Sequence, residues 1–257
     1  MSKTSDTMEM RKRTIFISGG SSGIGFALAK KLMSMGNNLV ICGRNADKLA
    51  AAQEDTPGIH AIRCDISKKA DIESLSESIR QKFPGVDILI NNAGIQRPID
   101  FLKGPEDLLS NEDEIQINFR AQVYLSAYLI PILAKHKESA IVNVSSGLGF
   151  IPMARYPIYS ATKAAMHSFT MSLRHQLSAT NIKVFEVIPP IVYDTYLKGE
   201  PQPKTENGIT AEEMADTIIR GVEGNKYEIT AGQTKKWMEM SKDEADRIFQ
   251  IINKRIN

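Results

Sequence analysis

Tyr159 and Lys163, in the stretch "IYSATK" (158–163), are a pair whose residue types and spacing could do chemistry. Four residues apart on an α-helix, two side chains share a face, with Cβ atoms about 6 Å apart. An ammonium at that distance favours phenolate and draws a tyrosine pKa of about 10 toward neutrality. Such a phenol can give or take a proton near pH 7. The same spacing also describes two ordinary surface residues, so other parts of the chain must complete a site.

A second candidate is "ISGGSSGIG" (17–25), where Gly19, Gly23 and Gly25 frame Ser21, Ser22 and Ile24. Glycines there let the backbone turn tightly and approach a ligand, while free N–H groups and a helix N-terminus face an anion. No Lys-Ser/Thr pair closes the loop, so it is not a P-loop, and its spacing differs from GxGxxG. The alternative is a plain strand-to-helix turn. After the first strand of a β-α series, the favoured ligand is a dinucleotide. NAD binders usually carry an acid at the end of the second strand, to hold the ribose 2′-OH. Here "ICGRN" puts Gly43 in that place, followed by Arg44. A guanidinium suits a 2′-phosphate, so NADP(H) is expected ahead of NAD(H); a solvated loop arginine is the plainer reading. Asp65, followed by Ile66, ends the third strand where adenine would lie, although strand-end aspartates often act only as caps.

The elements that must position these residues follow from hydrophobic periodicity. Apolar runs at 14–18, 38–43, 59–65, 86–94, 139–146 and 182–190 predict strands. Helical patterns fall between them, near 24–35, 46–53, 69–82, 111–135 and 157–179, with Pro131 ending or bending the fourth. A further helix near 210–222, a short strand at "KYEIT" and a final amphipathic helix follow. Strict β-α alternation with continuously apolar strands predicts one α/β domain: a doubly wound parallel sheet, helices on both faces. Residues 1–12 read as a disordered tail, 13–257 as the domain, 190–208 as a substrate lid and 233–257 as a helical extension.

Hydrophobic residues make up 42% and charged residues 24%, as in an ordinary globular protein. A net charge of +2 gives no electrostatic case for nucleic acid or an anionic membrane. No apolar run reaches the ~20 residues that span a bilayer, and the N-terminus lacks a signal-peptide core. A cytoplasmic protein is expected. Cys42, Cys64 and His60 could be imagined as metal ligands, but strand cysteines read better as core filler, and no metal is expected.

Taken together, "SGGSSGIG" (18–25), "NNAG" (91–94), Ile117-Asn118, "VNVSS" (142–146) and "YSATK" (159–163) resemble the short-chain dehydrogenase/reductase family, over roughly residues 13–190. That resemblance implies a Rossmann-type fold and hydride transfer between a nicotinamide and a carbonyl or secondary alcohol. It implies Tyr159 as acid/base, and Lys163 as the residue that lowers its pKa and holds the nicotinamide ribose. It implies Ser146 as the hydroxyl that binds the substrate oxygen and Asn118 as the anchor of a proton-relay water. Ser145 competes with Ser146, and the interval to Tyr159 favours Ser146. For the cofactor it implies Asn91, Ala93 and Gly94 beside the glycine loop, with Pro189 and Val192 near the nicotinamide. Pro190 stands where the family usually has glycine, and Asp194 where it has threonine, with Thr195 one residue on. The Pro-Pro loop is also similar to a bacterial DltE-like oxidoreductase subgroup whose genes accompany teichoic-acid D-alanylation.

An apolar pocket wall is expected from Phe150, Ile151, Met153, Tyr156, Tyr193, Tyr196 and Leu197, or these merely pack the lid. Family members commonly pair through the helices near 111–135 and 157–179, which implies a homodimer or homotetramer. Non-catalytic NADP sensing is the rival from another functional class.

Overall fold

The computed structural model describes residues 7–109, 113–195, 204–205, 208–240 and 242–252. Seven strands form one parallel sheet: β1 (Thr14–Ser18), β2 (Asn38–Gly43), β3 (His60–Arg63), β4 (Ile88–Asn91), β5 (Ser139–Val144), β6 (Ile182–Ile188) and β7 (Glu228–Thr230). Their order is β3-β2-β1-β4-β5-β6-β7. The chain builds outward from β1 in one direction, then returns to β1 and continues through β4 in the other. This reversal opens a crevice beyond the carboxyl ends of β1 and β4, where ligands of such sheets bind.

Side chains alternate along each strand, so every apolar strand feeds two cores. Ile15 and Ile17 join one buried cluster, and Phe16 between them joins the other. The first cluster lies under α1 (Gly23–Ser34), α2 (Ala46–Asp55) and α7 (Ala211–Glu223). The second lies under α3 (Lys69–Lys82), α5 (Ala121–Leu133) and α6 (Pro157–Gln176). Helices therefore cover both faces, as the unbroken apolar strands require. Proline at N1 starts α6, and Thr210 with Glu213 forms a capping box on α7. Short helices α4 (Pro105–Leu109), α8 (Thr234–Glu239) and α9 (Lys242–Ile252) complete the described elements. Among the described residues, no helix is long and apolar enough to cross a membrane.

Three expectations need correction. Residues 1–6 of the expected tail lie outside the described residues, but Met8 and Met10 are fully buried against the first core cluster. Asn37 fastens this segment, donating to the Met10 carbonyl at 2.9 Å and accepting from Arg13 N at 2.9 Å. Two apolar residues spaced by two in a polar stretch went unread as an anchor. The helix expected over 111–135 is not uniform: Gln116–Arg120 forms a π turn before α5, and Pro131 sits inside α5 near its end. The final helix divides into α8 and α9, and 253–257 lie outside the described residues.

Candidate active site

A cleft of about 700 Å³ opens at the carboxyl edge of the sheet, with Gly19, Ser21, Ser22, Gly23 and Ile24 along one wall. The loop's course is dictated by glycine. Gly19 has φ +65°, and a Cβ there would stand 2.8 Å from Ala93 Cα. Its N–H and that of Gly20 donate to the Cys42 carbonyl at 2.9 and 3.2 Å, tying the loop to β2. Asn92 ties it to β4, donating through Nδ2 to the carbonyls of Ser18 and Gly19, both at 3.1 Å. At the N-terminus of α1, Ser22 makes no side-chain cap bond and the first turn holds no acid. Its leading N–H groups are thus left to an anion, which fits a pyrophosphate.

Gly43, Arg44, Asp65 and Ile66 line the far end of the cleft, where expected for the adenosine half. Arg44 is exposed and also borders an adjoining polar hollow with Asn45, Arg63, Asp65, Lys68 and Asp71. Asp65 combines two roles left open by the sequence: it lines the cleft, and its Oδ1 accepts from Ser67 N (3.1 Å) and Oγ (2.7 Å). These bonds hold its carboxyl below the usual range against the opposing effect of burial, with Lys68 and Arg44 adding to them. Cys42 and Cys64 are free and buried, and both line the same wall.

At the other end, β5 stops at Val144 and the chain turns through Ser145 and Ser146. Tyr159 and Lys163 share one face of α6 and both line the cleft with Ser146. Lys163 Nζ lies 5.5 Å from the Tyr159 ring centroid and donates to the Val144 carbonyl at 2.8 Å. The Ser146 hydroxyl hydrogen-bonds the phenol, whereas Ser145 Oγ points to Glu186 Oε1 at 2.6 Å. Behind them Asn118 is fully buried in the π turn. Its Oδ1 accepts from Ile95 N and its Nδ2 donates to the Ile95 carbonyl, each at 2.8 Å. It thereby fixes the strand-end loop that bears Ala93 and Gly94, both on the cleft wall.

The short chain dehydrogenase family matches residues 13–205, three quarters of the chain. The chain belongs to that family. As a short-chain dehydrogenase it is an oxidoreductase. It is 44% identical to "uncharacterized oxidoreductase DltE" of Bacillus subtilis over 97% of this chain and all of that one. In fold it is similar to a short chain dehydrogenase of Burkholderia cenocepacia solved with NADP: TM-score 0.79, 22% identity, 95% and 99% of the two chains covered. A Burkholderia phymatum relative solved with NAD is as close: TM-score 0.78, 20% identity, 94% and 96% covered.

Burial dominates the electrostatics of this short-chain dehydrogenase's candidate site. Burial pushes the Tyr159 phenol up to about 12; the Ser146 bond pulls it down, and the charge of Glu114 raises it further. Burial also pushes the Lys163 ammonium down to about 8. Four-residue spacing brought the pair together but gave no measure of how much water both would lose. Other placements differ as well. Asn91 faces the interior, donating to Ser126 Oγ (3.0 Å) and Asn143 Oδ1 (2.9 Å), and Asn92 meets the cleft instead. Side-chain alternation at a strand end carries that signal. Gly25 packs behind the loop, where a Cβ would meet the Gly19 carbonyl, rather than lining the cleft.

On the substrate side Met153 and Tyr156 line the cleft, but Phe150 packs against His167 with ring centroids 4.6 Å apart, Ile151 is buried elsewhere and Tyr193 turns to Lys204. Tyr196 and Leu197 lie outside the described residues, as does most of the expected lid; its ends join where Val192 bridges Ile209. Pro189, Pro190, Val192 and Thr195 line the cleft. Thr195 packs toward Gly23, while Asp194 accepts from Ala211 N at 2.7 Å at the start of α7. The sequence reading missed Gln233 and Trp237 altogether, both on the wall. Trp237 lies against Gly147, where a Cβ would come within 3.0 Å of its ring. Thr234, fully buried, donates to the Ile188 carbonyl at 2.8 Å and staples α8 over the site.

Proposed function

We propose that this chain is an NADP(H)-dependent reductase of ketones, aldehydes or related carbonyls, with Tyr159 as the proton donor. The observation that carries the reading is the convergence of Ser146, Tyr159 and Lys163 at one end of a cleft whose other end is a glycine-built anion cradle beside Arg44. The cradle fits a dinucleotide, because its amides are uncapped and side chains at Gly19 would fill it. Gly19, Ser21, Ser22, Gly23 and Ile24 would hold the pyrophosphate, with Arg44 and Ile66 on the adenosine half. Ala93, Gly94, Lys163, Pro189 and Val192 would border the nicotinamide half. When bound, the nicotinamide supplies the hydride.

The chain's own groups handle the proton and the oxygen. A phenol held near 12 is fully protonated at pH 7, so it is set to donate to a carbonyl oxygen as that oxygen gains charge. The Ser146 hydroxyl stabilises the same oxygen. Lys163, about 8, is mostly ammonium at pH 7, and its charge favours the phenolate as the phenol gives up its proton. By microscopic reversibility the same phenol would take up the proton when an alcohol is oxidised. Met153, Tyr156 and Trp237 give the substrate end an apolar lining, which suits a carbonyl on an apolar or aromatic body. The exposed Tyr128 on α5 and Met171 on α6 are consistent with pairing of copies through those helices.

The test is NADPH oxidation with a panel of ketones, aldehydes and quinones, on the native chain and Tyr159→Phe. Turnover by the native chain with a roughly thousandfold loss in the variant is expected, with NADPH affinity retained. Equal turnover removes Tyr159 from the chemistry. Cofactor binding without turnover of any carbonyl favours a sensor.

A further inference from the structure

His167, Glu186 and Ser145 form a hydrogen-bonded chain that the reaction above does not use. Glu186, on β6 between β5 and the edge strand β7, has a fully buried side chain. One carboxylate oxygen accepts from Ser145 Oγ at 2.6 Å and the other lies 2.7 Å from His167 Nδ1. Each end of this chain touches an element that carries a reacting group. Tyr159, Lys163 and His167 recur every fourth residue along α6 and share one face. Ser145 adjoins Ser146, and its N–H donates to the Val187 carbonyl at 2.8 Å. Phe150, which closes the turn begun at Ser146, packs against the His167 ring at a tilt of 60°.

A buried carboxylate is a costly way to fill this volume. An apolar side chain would fill it without desolvating a charge, and removing one partner would leave the acid exposed to a dry interior. What the carboxylate adds is direction, since two fixed donors specify where α6 and the end of β5 meet. We propose that His167 and Glu186 are positioning residues that lock Ser145, and through it aim the Ser146 hydroxyl at Tyr159. The proposal rests on the reductase reading for its kinetic consequence but not for its geometry.

The kinetic test uses NADPH-dependent reduction of p-nitrobenzaldehyde and phenanthrenequinone. His167→Leu removes the donor and should lower kcat roughly tenfold, with KM for NADPH unchanged, as loss of an outer orienting partner does. His167→Asn places an amide N–H where imidazole Nδ1 stood and should restore most of that loss. Leu and Asn variants of equal activity, or a Leu variant matching the native chain, would overturn the proposal. If His167→Leu does not fold, as judged by its thermal melt, Ser145→Ala breaks the same chain from the other end without unpairing the carboxylate completely, and carries the same expectation. If the native chain reduces neither probe, the reductase reading fails and the network is judged alone by nitrogen-15 NMR of the histidines. His167 should then show the Nδ1–H form and a resonance that moves in Ser145→Ala; an Nε2–H form, or no movement, sinks the network.

Discussion

The two ends of the cleft are built from different materials. The proposed nucleotide end is mostly main chain: glycines, strand-end carbonyls and the N–H groups of α1, with Arg44 and Lys48 as exposed charges. The proposed reacting end is built from buried side chains, Ser146, Tyr159 and Lys163, set against α8 from the far end of the chain. Main-chain sites tolerate little added volume and are indifferent to pH. Side-chain sites tolerate reshaping but depend on desolvation. The difference predicts separate ways of failing, which substitutions at each end can expose.

Largest should be Gly19→Val at the nucleotide end. The substitution forces a β-branched residue into φ +65° and drives its Cβ into Ala93 Cα, a backbone atom that cannot swing aside. The loop must move, and NADPH affinity should fall by roughly a hundredfold, measured by fluorescence enhancement on titration. Unchanged affinity would show that the loop does not cradle the cofactor. Arg44→Ala comes next, because loss of a charged hydrogen bond of about 1.5–3 kcal/mol weakens binding roughly ten- to hundredfold. The loss should fall on NADPH and spare NADH; equal weakening of both would remove the 2′-phosphate assignment. At the reacting end, Trp237→Ala should leave NADPH affinity intact while lowering kcat/KM for the aromatic carbonyls by about tenfold relative to acetaldehyde. A uniform change across all carbonyls would mean that Trp237 supports the fold rather than the substrate.

Legibility followed the same division. The glycine loop and the Tyr159–Lys163 pair lie within short windows, and their local spacing already encodes a turn or a shared helix face. The sheet and its helices were readable because parallel strands buried on both faces, as β5 is throughout, are mostly apolar. Trp237 was not readable, because it reaches the site from 90 residues beyond Gly147, through a staple at Thr234 that has no periodic signature. Asn91 and Asn92 exchanged roles over a single step of strand alternation. The π turn at Asn118 has no marker in residue type, and the bond pair that Asn118 makes with Ile95 joins segments 23 residues apart. Desolvation was the deepest omission. Spacing shows that an ammonium and a phenol are near each other, but only burial shows which of them gives way.

That last point has its own consequence, the smallest in size. In the folded chain Lys163 gives up its proton near pH 8 instead of its ordinary 10.5. Between those values the unfolded chain holds more protons, so this residue makes stability rise as pH rises from about 8 to 10.5. Tyr159 acts with the opposite sign in a higher window: the folded phenol keeps its proton to about 12 instead of 10, so stability falls as pH passes from 10 toward 12. Lys163→Met removes the first effect, and its urea midpoint, compared with the native chain's, should show a lead that shrinks from pH 8 to 10. Arg44→Met, at the exposed nucleotide end, should show a constant difference over the same range, because an arginine does not titrate there. A constant difference for Lys163→Met as well would mean that water reaches the lysine in solution, and the contrast between a dry end and a wet end of the cleft would fail.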